Sequence, residues 1–112
     1  MDLLTKTAEG KGQVTVDGRF DAYAAPEVAA TLETMMDEGI SDIWLDMSET
    51  TFIDSTALAE LVRFMKRART AGGDLTLWKP SDAVRVILEL TSLDLAFSIS
   101  QAEASPVERR TW

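Results

Sequence analysis

The chain has 112 residues and a net charge of −8. That length suits one domain with one core, and the acidic balance argues against nucleic acid or an anionic membrane surface as a partner. With no cysteine and no histidine, disulfides, thiolate zinc sites, cysteine nucleophiles and histidine general bases are excluded.

Carboxylate-only metal sites remain open on composition, but no calcium-loop spacing occurs. The first six residues, Met1 to Lys6, carry no long apolar core and no cleavage-site pattern, so no signal peptide is expected. No apolar run reaches the length of a membrane span. The expectation is a cytoplasmic protein without membrane insertion.

Leu3-Leu4 open a weakly marked strand, and Gly10-Lys11-Gly12 reads as a hairpin turn. Gln13 to Asp17 alternates polar and apolar, the period of a half-buried strand. Gly18-Arg19-Phe20-Asp21 is expected as a loop. Pro26 suits a first helical turn, and Glu27 there complements the helix dipole. Val28, Leu32, Met35 and Met36 recur at helical spacing, and Gly39 is placed to end the helix.

Ile43 to Met47 is apolar on both faces, which predicts a central strand covered on both sides or at a parallel crossover. A polar turn, Phe52-Ile53 and the cluster Asp54-Ser55-Thr56 follow. The pattern predicts a loop here, anchored from below by Phe52. Leu58, Leu61, Val62, Met65 and Ala68 then line one face of a second helix, with Glu60, Arg63, Lys66, Arg67 and Thr70 on the other. Gly72-Gly73 stop it. Leu75 to Trp78 is a third core strand, and Ser81 is a good N-cap for a third helix. Leu93 to Ile99 is expected to hold an edge strand. Ser100 to Glu103 fits a capping box for a short last helix. Residues 1–104 are expected as the domain and 105–112 as a mobile tail.

Alternating strands and helices after the opening hairpin predict right-handed crossovers and a mostly parallel sheet. The expected architecture is α/β: a mixed four- to five-stranded sheet with an N-terminal hairpin, packed with three to four helices.

The junction before the second helix is the place to look for function. Asp54 is a natural N-cap. Ile53 before it and Leu58 after it have the spacing of a hydrophobic staple. Capping alone accounts for an Asp followed by hydroxyl residues. Ser55 has no base to make it a nucleophile, and the segment is neither a Gly-x-Ser-x-Gly elbow nor a phosphate-cradling loop. No catalytic residue and no cofactor are expected. A modification site is the functional alternative, because a hydroxyl at an exposed helix start is accessible to a kinase.

Asp46-Met47-Ser48 followed by Phe52-Ile53-Asp54-Ser55-Thr56-Ala57-Leu58 resembles the signature of STAS domains, and of bacterial anti-sigma-factor antagonists in particular. The resemblance extends from Gly18-Arg19-Phe20-Asp21 through Gly72-Gly73 and Pro80-Ser81-Asp82-Ala83-Val84 to Leu90-Thr91-Ser92-Leu93. It implies a STAS-like fold and a partner switch. An antagonist binds an anti-sigma serine kinase of the GHKL type. The kinase phosphorylates the Ser after the motif Asp, and a PP2C-type phosphatase reverses this. Carried over, the acceptor is Ser55, and the partner-binding set is Asp21, Asp54, Ser55, Thr56 and Ala57. Thr56 is a second candidate hydroxyl. The protein would be substrate and binder, not enzyme.

Two positions depart from the family pattern. Ala57 stands where the block usually has Gly, which is expected to narrow a partner's approach. Ser92 also stands where Gly is frequent, and it is expected to alter the turn before the last strand. The competing readings are a non-phosphorylated STAS subunit of a lipid or anion transporter and, ranked last, a small enzyme or nucleotide binder.

Overall fold

The computed structural model describes residues 2–107. Its elements run β1 (Asp2–Ala8), β2 (Lys11–Phe20), α1 (Ala25–Asp37), β3 (Asp42–Asp46), β4 (Thr50–Ile53) and α2 (Ser55–Thr70). They continue with β5 (Asp74–Trp78), α3 (Asp82–Leu90), a 3-10 turn at Leu93–Leu95, and β6 (Ser98–Ser100). The strand order is β1-β2-β3-β5-β6, with β4 paired to β2 off this path. Among the described residues only the β1–β2 hairpin is antiparallel; every other pair is parallel, as the crossover pattern requires. Among the described residues no helix is long and apolar enough to cross a membrane.

The sheet therefore has six strands rather than four or five. The additional strand is β4, in the segment expected as a loop. β2 is long enough to serve two neighbours. Lys11–Thr15 pair with β3, and Gly18–Phe20 pair with β4. The register shifts between Gly18 and Arg19, where Gly18 has φ +93°. A bulge with a left-handed residue suits glycine and re-aims the strand. Gly18 is thus a bulge inside a strand, and the expected loop begins only after Phe20. The hairpin turn also lies earlier than expected, because Ala8 pairs directly with Lys11 across Glu9-Gly10.

Strand alternation divides the sheet into two faces. Val14, Val16, Ile43, Leu45, Leu75 and Leu77 are wholly buried in one core cluster with Leu32 of α1, Leu61 and Phe64 of α2, and Val84 of α3. The other face carries Gln13, Trp44, Thr76 and Trp78. Trp44 and Trp78 meet edge to face with centroids 6.2 Å apart. Gln13, Thr76 and Trp78 are buried, so this face too is covered.

Its cover is the chain after β6. The Trp78 Nε1–H donates to the Ala102 carbonyl at 2.8 Å, and the Ser105 hydroxyl donates to Gln13 Oε1. Since Trp78 is on β5 and Gln13 on β2, this segment crosses the sheet over β3. The expected last helix at Ser100–Glu103 does not form. So short a segment nucleates poorly, and its backbone is satisfied instead by Trp78 and by the Ser100 hydroxyl, which accepts from the Ala102 N–H. Ser105 and Val107, assigned from sequence to the tail, are buried. Positions 108–112 of that tail lie outside the described residues. Burial pushes the Asp74 carboxyl up. Hydrogen bonds from Ser98, Arg69 and the Leu75 N–H, with the Arg69 charge, outweigh this and hold it below its ordinary value.

The helix ends follow local rules. Gly39 and Ile40 close α1 by donating to Met36 and Met35 carbonyls, the paired bonds of a Schellman cap. Gly72 and Gly73 close α2 in the same way onto Arg69 and Ala68. At α3, the residue after the C-cap is Ser92, with φ 60° and ψ 16°. A side chain in this left-handed conformation carries a steric cost that glycine lacks. Ser92→Gly is expected to raise stability by about 0.5–1 kcal/mol, read from urea unfolding midpoints. An unchanged or lower midpoint would show that the serine incurs no net cost there.

Candidate functional site

β2 and β4 both end at the start of α2, and their ends are sewn together by Asp54. Asp54 is the N-cap of α2, with extended backbone. Its Oδ1 accepts from the Ala57 N–H at 2.9 Å, closing the helix start. Its Oδ2 accepts from the Ala22 N–H at 2.8 Å. Its own N–H donates to the Phe20 carbonyl at 3.3 Å. One carboxylate therefore caps a helix and tethers the loop that follows β2.

That loop is shaped by Asp21. Its Oδ1 accepts from both the Tyr23 and the Ala24 N–H at 3.1 Å. Its carbonyl accepts from the Ala24 and Ala25 N–H at 3.1 and 2.8 Å. α1 has no side-chain bond at its N-cap, Ala24, so Asp21 supplies the equivalent from one turn earlier.

The segment before β4 is braced from beneath. Ser48 donates through its N–H and hydroxyl to Asp46 Oδ1 at 3.0 and 2.8 Å. The buried Thr50 hydroxyl donates to the Val16 carbonyl at 2.7 Å. The Ser81 hydroxyl donates to the Thr50 carbonyl at 2.5 Å, linking the start of α3 to β4. Ile53 and Leu58 are both buried at the staple positions on either side of the cap.

On this frame Ser55 and Thr56 occupy the first turn of α2, both exposed. Among the described residues neither hydroxyl has a hydrogen-bond partner. Asp21, Asp54, Ser55 and Thr56 are thus brought together at one end of the sheet. Ala57 is not part of this surface. Its methyl is wholly buried in the core cluster, because the third residue of α2 already faces the sheet. The methyl therefore does not narrow a partner's approach.

Three side chains of this surface were not picked out from sequence. Phe52 does not anchor the loop from below. It faces outward, opposite Arg19 in the β2–β4 register, and the Arg19 guanidinium lies 4.1 Å over its ring. Arg19 Nε is 3.6 Å from Asp21 Oδ2. Tyr23 is 94 % exposed, so its ring packs on almost nothing. An open cleft of about 500 Å³ is lined by Gly18, Arg19, Asp21, Tyr23, Ala24 and Glu27. The run Thr50-Thr51-Phe52-Ile53 was the available signal, since β-branched and aromatic residues favour strands.

Comparison with known proteins agrees with this architecture. The chain is 34 % identical over 91 residues to the anti-sigma-B factor antagonist of Listeria monocytogenes, covering 80 % of this chain and 79 % of that one. A crystal structure of an anti-sigma factor antagonist from Mycobacterium paratuberculosis superposes with a TM-score of 0.80 at 22 % identity, covering 91 % and 86 % of the two chains. The phosphorylated form of the Bacillus cell fate determinant SpoIIAA superposes with a TM-score of 0.72 at 17 % identity, covering 91 % and 94 %. These two structures show a shared fold. The family model for the STAS domain matches residues 2–105, and on that match, with the 34 % identical relative, the chain belongs to the STAS domain family and groups with its anti-sigma factor antagonists.

Proposed function

We propose that this chain is an anti-sigma factor antagonist that works by partner switching in the cytoplasm. Unmodified, it binds an anti-sigma factor that is also a GHKL-type serine kinase. The kinase transfers the γ-phosphoryl group of ATP to the Ser55 Oγ, releasing ADP and the hydroxyl proton, and the phosphorylated chain no longer binds. A PP2C-type phosphatase hydrolyses the phosphoserine and restores it. The chain is substrate and binder, with the chemistry supplied by its partners.

The observation that carries this reading is the exposed Ser55 hydroxyl, free of internal bonds among the described residues at the first position of α2. The antagonist relative and the existence of a phosphorylated protein of the same fold support it. A phosphate here would add about −1.5 to −2 charge. The free N–H groups of the first helical turn favour that charge, while the Asp54 carboxylate opposes it. The fold is expected to persist while the surface presented to a partner becomes locally more negative and bulkier. Thr56, also exposed, is the second hydroxyl a kinase can reach.

The test is incubation with GHKL-type anti-sigma kinases from the same genome and Mg-ATP, followed by intact-mass analysis and peptide mapping. A single phosphate on Ser55 is expected, absent in Ser55→Ala, and Ser55→Asp should weaken kinase binding tenfold or more. An unmodified Ser55, together with unchanged binding by Ser55→Asp, would sink the reading.

A further inference from the structure

We propose that Tyr23 and the Arg19–Phe52 stack are the anchors by which this chain recognises its anti-sigma partner. In this proposal the partner's facing surface offers an apolar pocket to Tyr23 and a carboxylate to Arg19. The inference rests on the partner-switch reading of Ser55 and names the part of the surface that selects the partner.

A kinase that delivers a phosphoryl group to Ser55 must cover the start of α2. Asp54, the residue before Ser55, holds the Ala22 N–H at 2.8 Å, and Tyr23 is the next residue. Asp21 fixes that turn through its bonds to the Tyr23 and Ala24 N–H groups. Tyr23 is therefore carried on a tethered loop beside the acceptor. Phe52 lies two residues before Asp54 and shares its strand end. A partner seated on Ser55 meets both.

Composition points the same way. Tyr and Arg are the residues most often found to dominate binding energy, usually in pockets that exclude water. At 94 % exposure Tyr23 contributes almost nothing to this fold, yet it stands on a backbone held by three hydrogen bonds. A rigid aromatic loses little entropy on docking. The Arg19 guanidinium carbon lies over the Phe52 ring, 4.1 Å from its centroid. Apart from Asp21 at 3.6 Å, Arg19 has no carboxylate partner among the described residues. Its planar fork can form a bidentate bond with a partner carboxylate. The open cleft of about 500 Å³ between Arg19 and Tyr23 leaves room for that group. In a chain of net charge −8, a cation at this rim also discriminates against partners that present a basic group there.

The experiment measures binding of the full chain to the kinase that modifies Ser55, by calorimetry without ATP. Tyr23→Ala and Arg19→Ala are each expected to raise Kd tenfold or more. Leu95→Ala, at another highly exposed apolar residue, on the 3-10 turn, should change it less than threefold. A photo-crosslinking phenylalanine analogue at position 23 should crosslink to the kinase, a readout that does not depend on the alanine variants folding. If the wild type binds and is phosphorylated on Ser55, but Kd is unchanged in both variants or no crosslink forms, the anchors are wrong and the switch stands. If the wild type neither binds nor is modified by any such kinase, both ideas fail together.

Discussion

Asp54→Ala is expected to cost about 2–4 kcal/mol of stability while leaving the chain folded. The substitution removes the acceptor for the Ala57 N–H, a capping bond worth about 0.5–2 kcal/mol, and the acceptor for the Ala22 N–H, a bond to a charged group worth about 1.5–3 kcal/mol. Solvent reaches this half-buried site and recovers part of the second bond, which keeps the sum below the upper limits. A domain of this size holds about 5–15 kcal/mol, so the native state survives.

Asp54→Asn separates the two roles. Asparagine caps a helix about as well as aspartate, but it has one carbonyl oxygen where the carboxylate has two. One of the two N–H groups must lose its acceptor, and the cost should fall between wild type and alanine. Urea unfolding gives the stabilities. Amide hydrogen exchange locates the loss, with Ala22 expected to lose protection while Ala57 keeps it. Equal midpoints for all three proteins would show that the carboxylate does not hold the loop. Since Tyr23 rides on that loop, the Asn variant should also weaken partner binding with Ser55 intact.

Gly73→Ala is expected to be the more damaging of two neighbouring substitutions, by several kcal/mol. A Cβ at Gly73 would lie 2.0 Å from the Ser41 carbonyl oxygen and 2.3 Å from its carbon. Neither is the flexible end of a side chain, so the backbone itself must move. That backbone is held on both sides. The Gly73 N–H donates to Ala68 at 2.9 Å to close α2, and the Asp74 N–H donates to the same Ser41 carbonyl at 3.0 Å to open the β3–β5 ladder. Overpacking of a rigid contact costs about 1–3 kcal/mol, and breaking one or both of these bonds adds to it.

Gly72→Ala meets nothing within 4 Å but must adopt φ +89°, a conformational cost of about 1–2 kcal/mol. Urea midpoints of the two variants compare the effects directly. If Gly73→Ala fails to fold, its soluble yield and circular dichroism against Gly72→Ala give the same ordering. A Gly73 variant as mild as the Gly72 one would show that the α2–β5 corner yields easily.

These two residues also show where sequence reading stops. Gly72-Gly73 read correctly as the end of a helix, since the left-handed cap is a local requirement. Nothing local says that the second glycine exists for Ser41, a residue of the preceding crossover. The site divides in the same way. Asp54 read as a cap because its bond to Ala57 spans three residues. Its bond to Ala22 spans thirty-two, and no spacing rule reports it.

Legible in the amino-acid order were the alternation of strands and helices, the buried faces of the helices, the caps at Asp54 and Ser81, and the exposure of Ser55. Each of these rests on interactions within a turn or two of chain, or on hydrophobic period. Tertiary structure alone decided that Thr50–Ile53 is a strand, because β4 exists only through its pairing with the far end of β2. It turned Phe52 outward under Arg19. It also laid residues 101–107 across the sheet rather than into a helix. In each case the deciding partner is distant in the chain, and its bond or contact outweighs a weak local preference that the sequence shows alone.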